Sequence, residues 1–211
     1  MFGIVGYTGF VVSAILLNIT PGADTIYILS RSAVGGFKQG AVSALGISTG
    51  ILIHTVLAAL GLSIILAKSA VLFNIMKIIG CAYLVIMGIK TIVSKQNIMD
   101  LSAKSERENL LKTYRQGVLT NALNPKVALF FLALLPQFVA PDNQYGPLPF
   151  LILGLTFFTT STIWSLFVAY ISSFISRLLA SNKKASIIAS KMSGVIYILL
   201  GLNILRTGIN L

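Results

Sequence analysis

The chain has 211 residues, of which 56% are hydrophobic and only 10% charged, with a mean hydropathy of +0.91. A soluble domain of this size cannot hide so much apolar surface, so the expected class is an all-α polytopic membrane protein. The net charge of +11 does not point to nucleic acid, because the sixteen Lys and Arg fall mostly between apolar spans, where they act as topology signals.

Hydropathy predicts six spans, near residues 4–29, 40–67, 70–91, 116–139, 148–176 and 187–204, each close to the roughly 20 residues a helix needs to cross hydrocarbon. The first span contains a break, Asn18-Ile19-Thr20-Pro21-Gly22-Ala23-Asp24. Pro21 has no amide hydrogen and crowds the preceding turn, and Gly22 loosens the backbone, so a continuous helix is interrupted there. Asp24 is the only acidic residue in any span. A carboxylate at membrane depth points to a functional site, although a proline kink with a snorkelling Asp would leave the same trace. No signal peptide is expected, since residues 1–23 lack a basic leading region and a small-residue cleavage site.

The second span carries Gly46, Gly50 and His54 at intervals of four, hence on one helix face. The glycines permit close helix approach. His54 could relay protons or serve as a neutral, hydrogen-bonded core residue. In the third span Gly80-Cys81-Ala82-Tyr83 is followed by Gly88, a pattern that returns in the sixth as Gly194-Val195-Ile196-Tyr197 and Gly201. Lys77 is expected to snorkel to the outer interface.

Beyond a polar, mixed-charge linker near residues 94–115, the fourth span carries the second break, Asn121-Ala122-Leu123-Asn124-Pro125-Lys126. Asn124 can cap a helix whose first residue is Pro125, as Thr20 can before Pro21. Each break would leave a half-helix N-terminus suited to an anionic group. Lys126 beside one break and Asp24 beside the other could hold the two ends of a zwitterion, or pair with each other. The fifth span has a polar face, Thr159 to Thr162 with Trp164 and Ser165; such hydroxyls commonly bond their own backbone or a neighbouring helix.

The two breaks and the two Gly/Tyr patterns match in order, so the chain divides into a 3+3 inverted repeat with broken first and fourth helices: repeat one at 1–93, the linker, and repeat two at 116–211, in one transmembrane domain. The first, third and fifth connections carry eleven Lys and Arg, among them Arg31 and Lys38, against Lys68 and Arg206 on the other side. Odd connections are therefore expected in the cytoplasm and both termini outside. One cysteine, Cys81, excludes an internal disulfide, and with one histidine there is no transition-metal cluster. No phosphate-binding Gly-rich loop occurs, so ATP is not expected as the energy source, and no cofactor is expected.

These residues resemble the LysE/RhtB family of bacterial amino-acid exporters along the whole chain. Thr20-Pro21-Gly22-Ala23-Asp24 looks like the family's T-P-G-P-[DN] signature, with Ala23 in place of the second proline and Arg31 at the expected distance. Gly46-x3-Gly50-x3-His54 and Gly80-x2-Tyr83-x4-Gly88 look like its second and third spans. Gly117-x3-Asn121-x2-Asn124-Pro125-Lys126, then Phe130-Phe131 and Pro136-Gln137-Phe138, resembles its fourth-span block. The resemblance implies a secondary transporter that exports a small amino acid or close derivative across the bacterial inner membrane, driven by the proton gradient.

From the residues, the substrate-binding candidates are Asn18, Thr20, Pro21, Gly22, Asp24, Asn121, Asn124, Pro125 and Lys126. Asp24 and His54 are the candidate proton carriers. Gly46, Gly50, Gly80, Gly88, Gly194 and Gly201 are the helix-packing candidates, whose faces serve a homodimer or internal packing equally. The alternatives are a transporter or channel for a different solute or ion, and an intramembrane enzyme. A metal-ion cargo is disfavoured because the spans offer one carboxylate. An enzyme would need a nucleophile with a base or metal.

Overall fold

A computed structural model of the chain describes residues 2–62 and 109–179, with isolated helical positions between 75 and 93 and between 191 and 202. The expected third and sixth spans and most of the linker lie outside the described residues, and with them Gly80, Gly88, Gly194 and Gly201. The described part is helical, with one isolated antiparallel bridge, Ile4 to Val139.

Helix α1 (Tyr7–Ile19) ends where Pro21 cannot donate, and the chain runs extended through Thr20 and Gly22 before helix α2 (Ala23–Leu57) begins. α2 is two limbs joined at Gly36, which takes φ 69° and ψ −169°, a conformation open essentially to glycine alone. The limbs fold back on each other there: a Cβ on Gly40 would collide with the Ser32 hydroxyl, although eight residues of straight helix would separate the two positions by about 12 Å. The expected loop around Arg31 and Lys38 is therefore a sharp turn between two helices. Arg31 is helical and buried rather than a loop cation.

The second limb continues into a π-helical turn, Ala58–Leu62. Helix α3 (Leu110–Ala122) starts where the Asn109 side chain accepts from the Leu111 amide (2.8 Å), six residues before the span expected from hydropathy. Residues 110–115, at the end of the expected linker, are helical. After Leu123 the short helix α4 (Pro125–Leu129) leads into a π-helical turn, Phe130–Leu134, and a 3-10 turn, Leu135–Phe138. The α3 axis and the run from Pro125 to Phe138 meet at 43°. Helix α5 (Leu148–Leu179) closes the described part.

Among the described residues, Ala23–Leu62 and Leu148–Ser172 are long and apolar enough to cross a membrane, and the bent pair Leu110–Ala122 with Pro125–Phe138 makes a third such span.

Glycines set how closely α2 and α3 lie. A Cβ on Gly46 would strike the Tyr114 carbonyl and lie 3.1 Å from the Gly117 Cα; one on Gly50 would lie 2.7 Å from the Asn121 Cβ. The Gly46/Gly50 face is thus occupied inside the molecule, against α3. On the other side, Phe10 of α1, Phe130, Phe131 and Phe157 of α5 form a buried aromatic core. Phe130 stacks on Phe157 at 4.5 Å between centroids. This core holds the segment after the second break against α1 and α5, and so fixes where Lys126 points.

Candidate functional site

The two breaks face each other, and the bond that joins them follows from the first. In an unbroken helix the Thr20 carbonyl would accept from the amide four residues on. The Pro21–Gly22 break leaves it free, and the Lys126 ammonium donates to it at 2.6 Å. Lys126 is 6% exposed, so this contact with the negative end of α1 compensates a charge held away from water.

Thr20 does not cap α2, as the sequence suggests. It ends α1, its hydroxyl donating back to the Leu16 carbonyl (2.6 Å), while Gly22 stands at the start of α2 with no side-chain cap. The reason is local: two extended residues follow Thr20, so the next helix starts too late for its side chain to reach. Asn124 does cap α4, accepting from the Lys126 amide at 3.0 Å with Pro125 in the first helical position.

Asp24 lies in the first turn of α2, where the helix dipole favours a carboxylate. The Asn121 amide donates to its Oδ2 (2.8 Å), and Asn121 is completely buried over Gly50. His54 approaches the same asparagine from the second limb: its Nε2 lies 3.1 Å from the Asn121 backbone oxygen. A carbonyl can only accept, so that nitrogen carries a proton. The imidazole stacks on Phe131 at 5.7 Å.

Leu17, Asn18, Asp24, Lys126, Ser161 and Trp164 line one cavity of about 20 Å³, with Thr25, Ser165 and apolar side chains of α2, α4 and α5 completing it. That volume holds about one water molecule and no amino acid. Two buried side-chain atoms around the breaks lack a hydrogen-bond partner, Asn121 Oδ1 and Trp164 Nε1, while the Asn124 side-chain amide lies beside the Asp24 carboxylate. Buried polar atoms are normally paired, and these two offer an acceptor and a donor. Among the described residues no group of three or more His, Cys, Asp or Glu could hold a metal ion.

Of the expected site residues, Asn18, Asp24 and Lys126 line the cavity. Thr20, Asn121 and Asn124 position them through hydrogen bonds. Pro21, Gly22 and Pro125 contribute by breaking or starting helices, and His54 stands behind Asn121. Trp164, Ser161 and Ser165 were visible in the sequence only as a polar face of the fifth span. Their offset on α5 was the available signal.

The LysE type translocator family matches residues 15–208, a range that begins just before the first break and takes in the second. The chain belongs to the LysE translocator family. Among its relatives, the uncharacterized membrane protein YrhP of Bacillus subtilis (strain 168) is 31% identical over 93% of this chain and 95% of its own length. The leucine efflux protein of Klebsiella pneumoniae subsp. pneumoniae is 25% identical, covering 93% of each. An uncharacterized membrane protein of Vibrio cholerae serotype O1 is 31% identical over 74% of this chain and 76% of its own. No solved structure matches the chain. This LysE translocator is thus a multi-pass membrane protein whose two helix breaks meet at one small buried cavity.

Proposed function

We propose that this protein is a secondary active exporter of a small amino acid or close derivative across the bacterial inner membrane, working by alternating access and coupled to protons. The observation that carries the reading is the meeting of the two helix breaks, which bring one carboxylate and one ammonium to a single buried cavity between α1, α2, α4 and α5. A zwitterion has the complementary pair of charges. Asp24 would take its ammonium group, and Lys126, exchanging the Thr20 carbonyl for substrate, its carboxylate.

The unpaired Trp164 N–H supplies a further donor for a carboxylate. Inverted repeats with interrupted helices at matching positions place transporter sites at the repeat interface, and the family membership and the leucine efflux relative agree with export. The cavity is too small for cargo, so the site has to widen to admit a substrate. Asp24 is the first candidate proton carrier. His54, held on a backbone carbonyl and stacked on Phe131, is the second.

The test is efflux from dipeptide-loaded cells, following every amino acid inside and outside with the protein present or absent. One amino acid should leave faster, and Asp24→Asn and Lys126→Ala should abolish the gain. Unchanged efflux of all amino acids, with folded protein in the membrane, would sink the proposal.

A further inference from the structure

A second cavity, of about 410 Å³, lies directly outside the first, between α1 and α5. Its volume is within the roughly 300–1,000 Å³ typical of small-molecule sites. Its lining is apolar, with Ile15, Ile19, Ile163 and Phe167 all exposed along it. Two residues, Asn18 and Trp164, line both cavities, so together they are the wall between them. Asn18 donates to the Thr160 hydroxyl (3.2 Å) and ties α1 to α5 at that wall. The Trp164 indole N–H is buried there without a partner.

We propose that the outer groove is the side-chain subsite of the transporter, that Trp164 is the movable partition before it, and that the cargo carries an apolar side chain. This rests on the export reading above. The charged cavity holds about one water, so a substrate whose head group lies between Asp24 and Lys126 must send its side chain elsewhere. The groove is the adjoining space, and its walls match an aliphatic or aromatic chain and no charged one.

Two further points favour a substrate over a lipid chain as occupant. The groove adjoins the charged cavity and is divided from it by Asn18 and Trp164. Trp164 at its inner edge also holds a buried indole N–H without a partner, a donor that a face meant only for lipid has no use for.

The experiment measures counterflow of alanine, leucine and phenylalanine together in vesicles carrying the purified full-length protein. The ratio of the three is independent of how much protein is active. Trp164→Ala removes the partition and should raise phenylalanine relative to alanine by about 10-fold, the discrimination that a methylene or two of pocket space supplies. Ile15→Trp fills the groove from an exposed position and should lower leucine and phenylalanine relative to alanine by about the same factor. Ile15→Trp also keeps the test alive if Trp164→Ala fails to fold.

Ratios unchanged in the variants that transport would overturn the subsite, and that is the result expected if only lipid chains enter the groove. The export reading would then stand. If the unmodified protein moves none of the three, the export reading falls for these cargos and takes the subsite with it.

Discussion

Asp24 and Lys126 show why a residue's neighbours matter more than its type. Each is a single charge in an apolar span, which costs about 3 kcal/mol at a bilayer centre on insertion scales. Each is compensated by a group from beside the other break: Asp24 by the Asn121 amide, Lys126 by the Thr20 carbonyl. The two charges also attract each other, so removing one leaves the other buried without its counter-charge, a loss of about 3–5 kcal/mol for typical buried pairs. Asp24→Asn and Lys126→Gln should therefore each lower the thermal midpoint in detergent, while the double substitution recovers most of it. Transport should stay lost in all three, because a charge-assisted hydrogen bond to substrate is worth about 1.5–3 kcal/mol, or about 10- to 100-fold. Equal stability of the singles and the double would show that the two charges do not compensate through shared surroundings.

At the scale of elements, the breaks and the Asn124 cap were legible in the sequence because proline and its preceding asparagine act locally. The role of Thr20 was not, since it depends on where the next helix resumes. Arg31 reads as a loop cation in a hydropathy plot. In the fold its guanidinium lies 5.2 Å from the Tyr27 ring centre and donates to the Gln116 side chain (3.0 Å), joining α2 to α3. Hydropathy sees the charge but not the neighbouring helix it reaches, and a Gly-Gly pair says nothing of which way a chain will turn. Cavity-lining positions on α5 were hidden for a similar reason, as periodicity gives a face but not what it faces.

Two substitutions test this level. Gly50→Val would overlap α3, at an overpacking cost of about 1–3 kcal/mol; it should reduce folded protein in the membrane and displace Asn121 from Asp24. Gly36→Ala meets open space but must adopt a positive φ, with strain of about 1–3 kcal/mol. Both are read by thermal unfolding in detergent against a neutral control such as Leu45→Ala, an exposed position on α2.

For the whole molecule, the decisive quantity is the roughly 20 Å³ cavity. An exporter must open it to one side at a time, whereas a passive channel would hold a continuous path. Ser165 is 4% exposed and lines this cavity on α5, and the chain has only one cysteine, Cys81. In a Cys81→Ser background, Ser165→Cys should react slowly with a membrane-impermeant thiol reagent in the resting protein. An outward gradient of the transported amino acid should change that rate by about 10-fold, corresponding to a shift of about 1.4 kcal/mol between closed and open populations. Exposed Tyr145, in the loop before α5 and outside both cavities, gives the control: Tyr145→Cys should label at a rate the gradient does not alter. Fast labelling of Ser165→Cys with no response to the gradient would mean a standing pore. The two breaks would then line a channel wall, and the charges on them would select ions instead of carrying a zwitterion through a closed state.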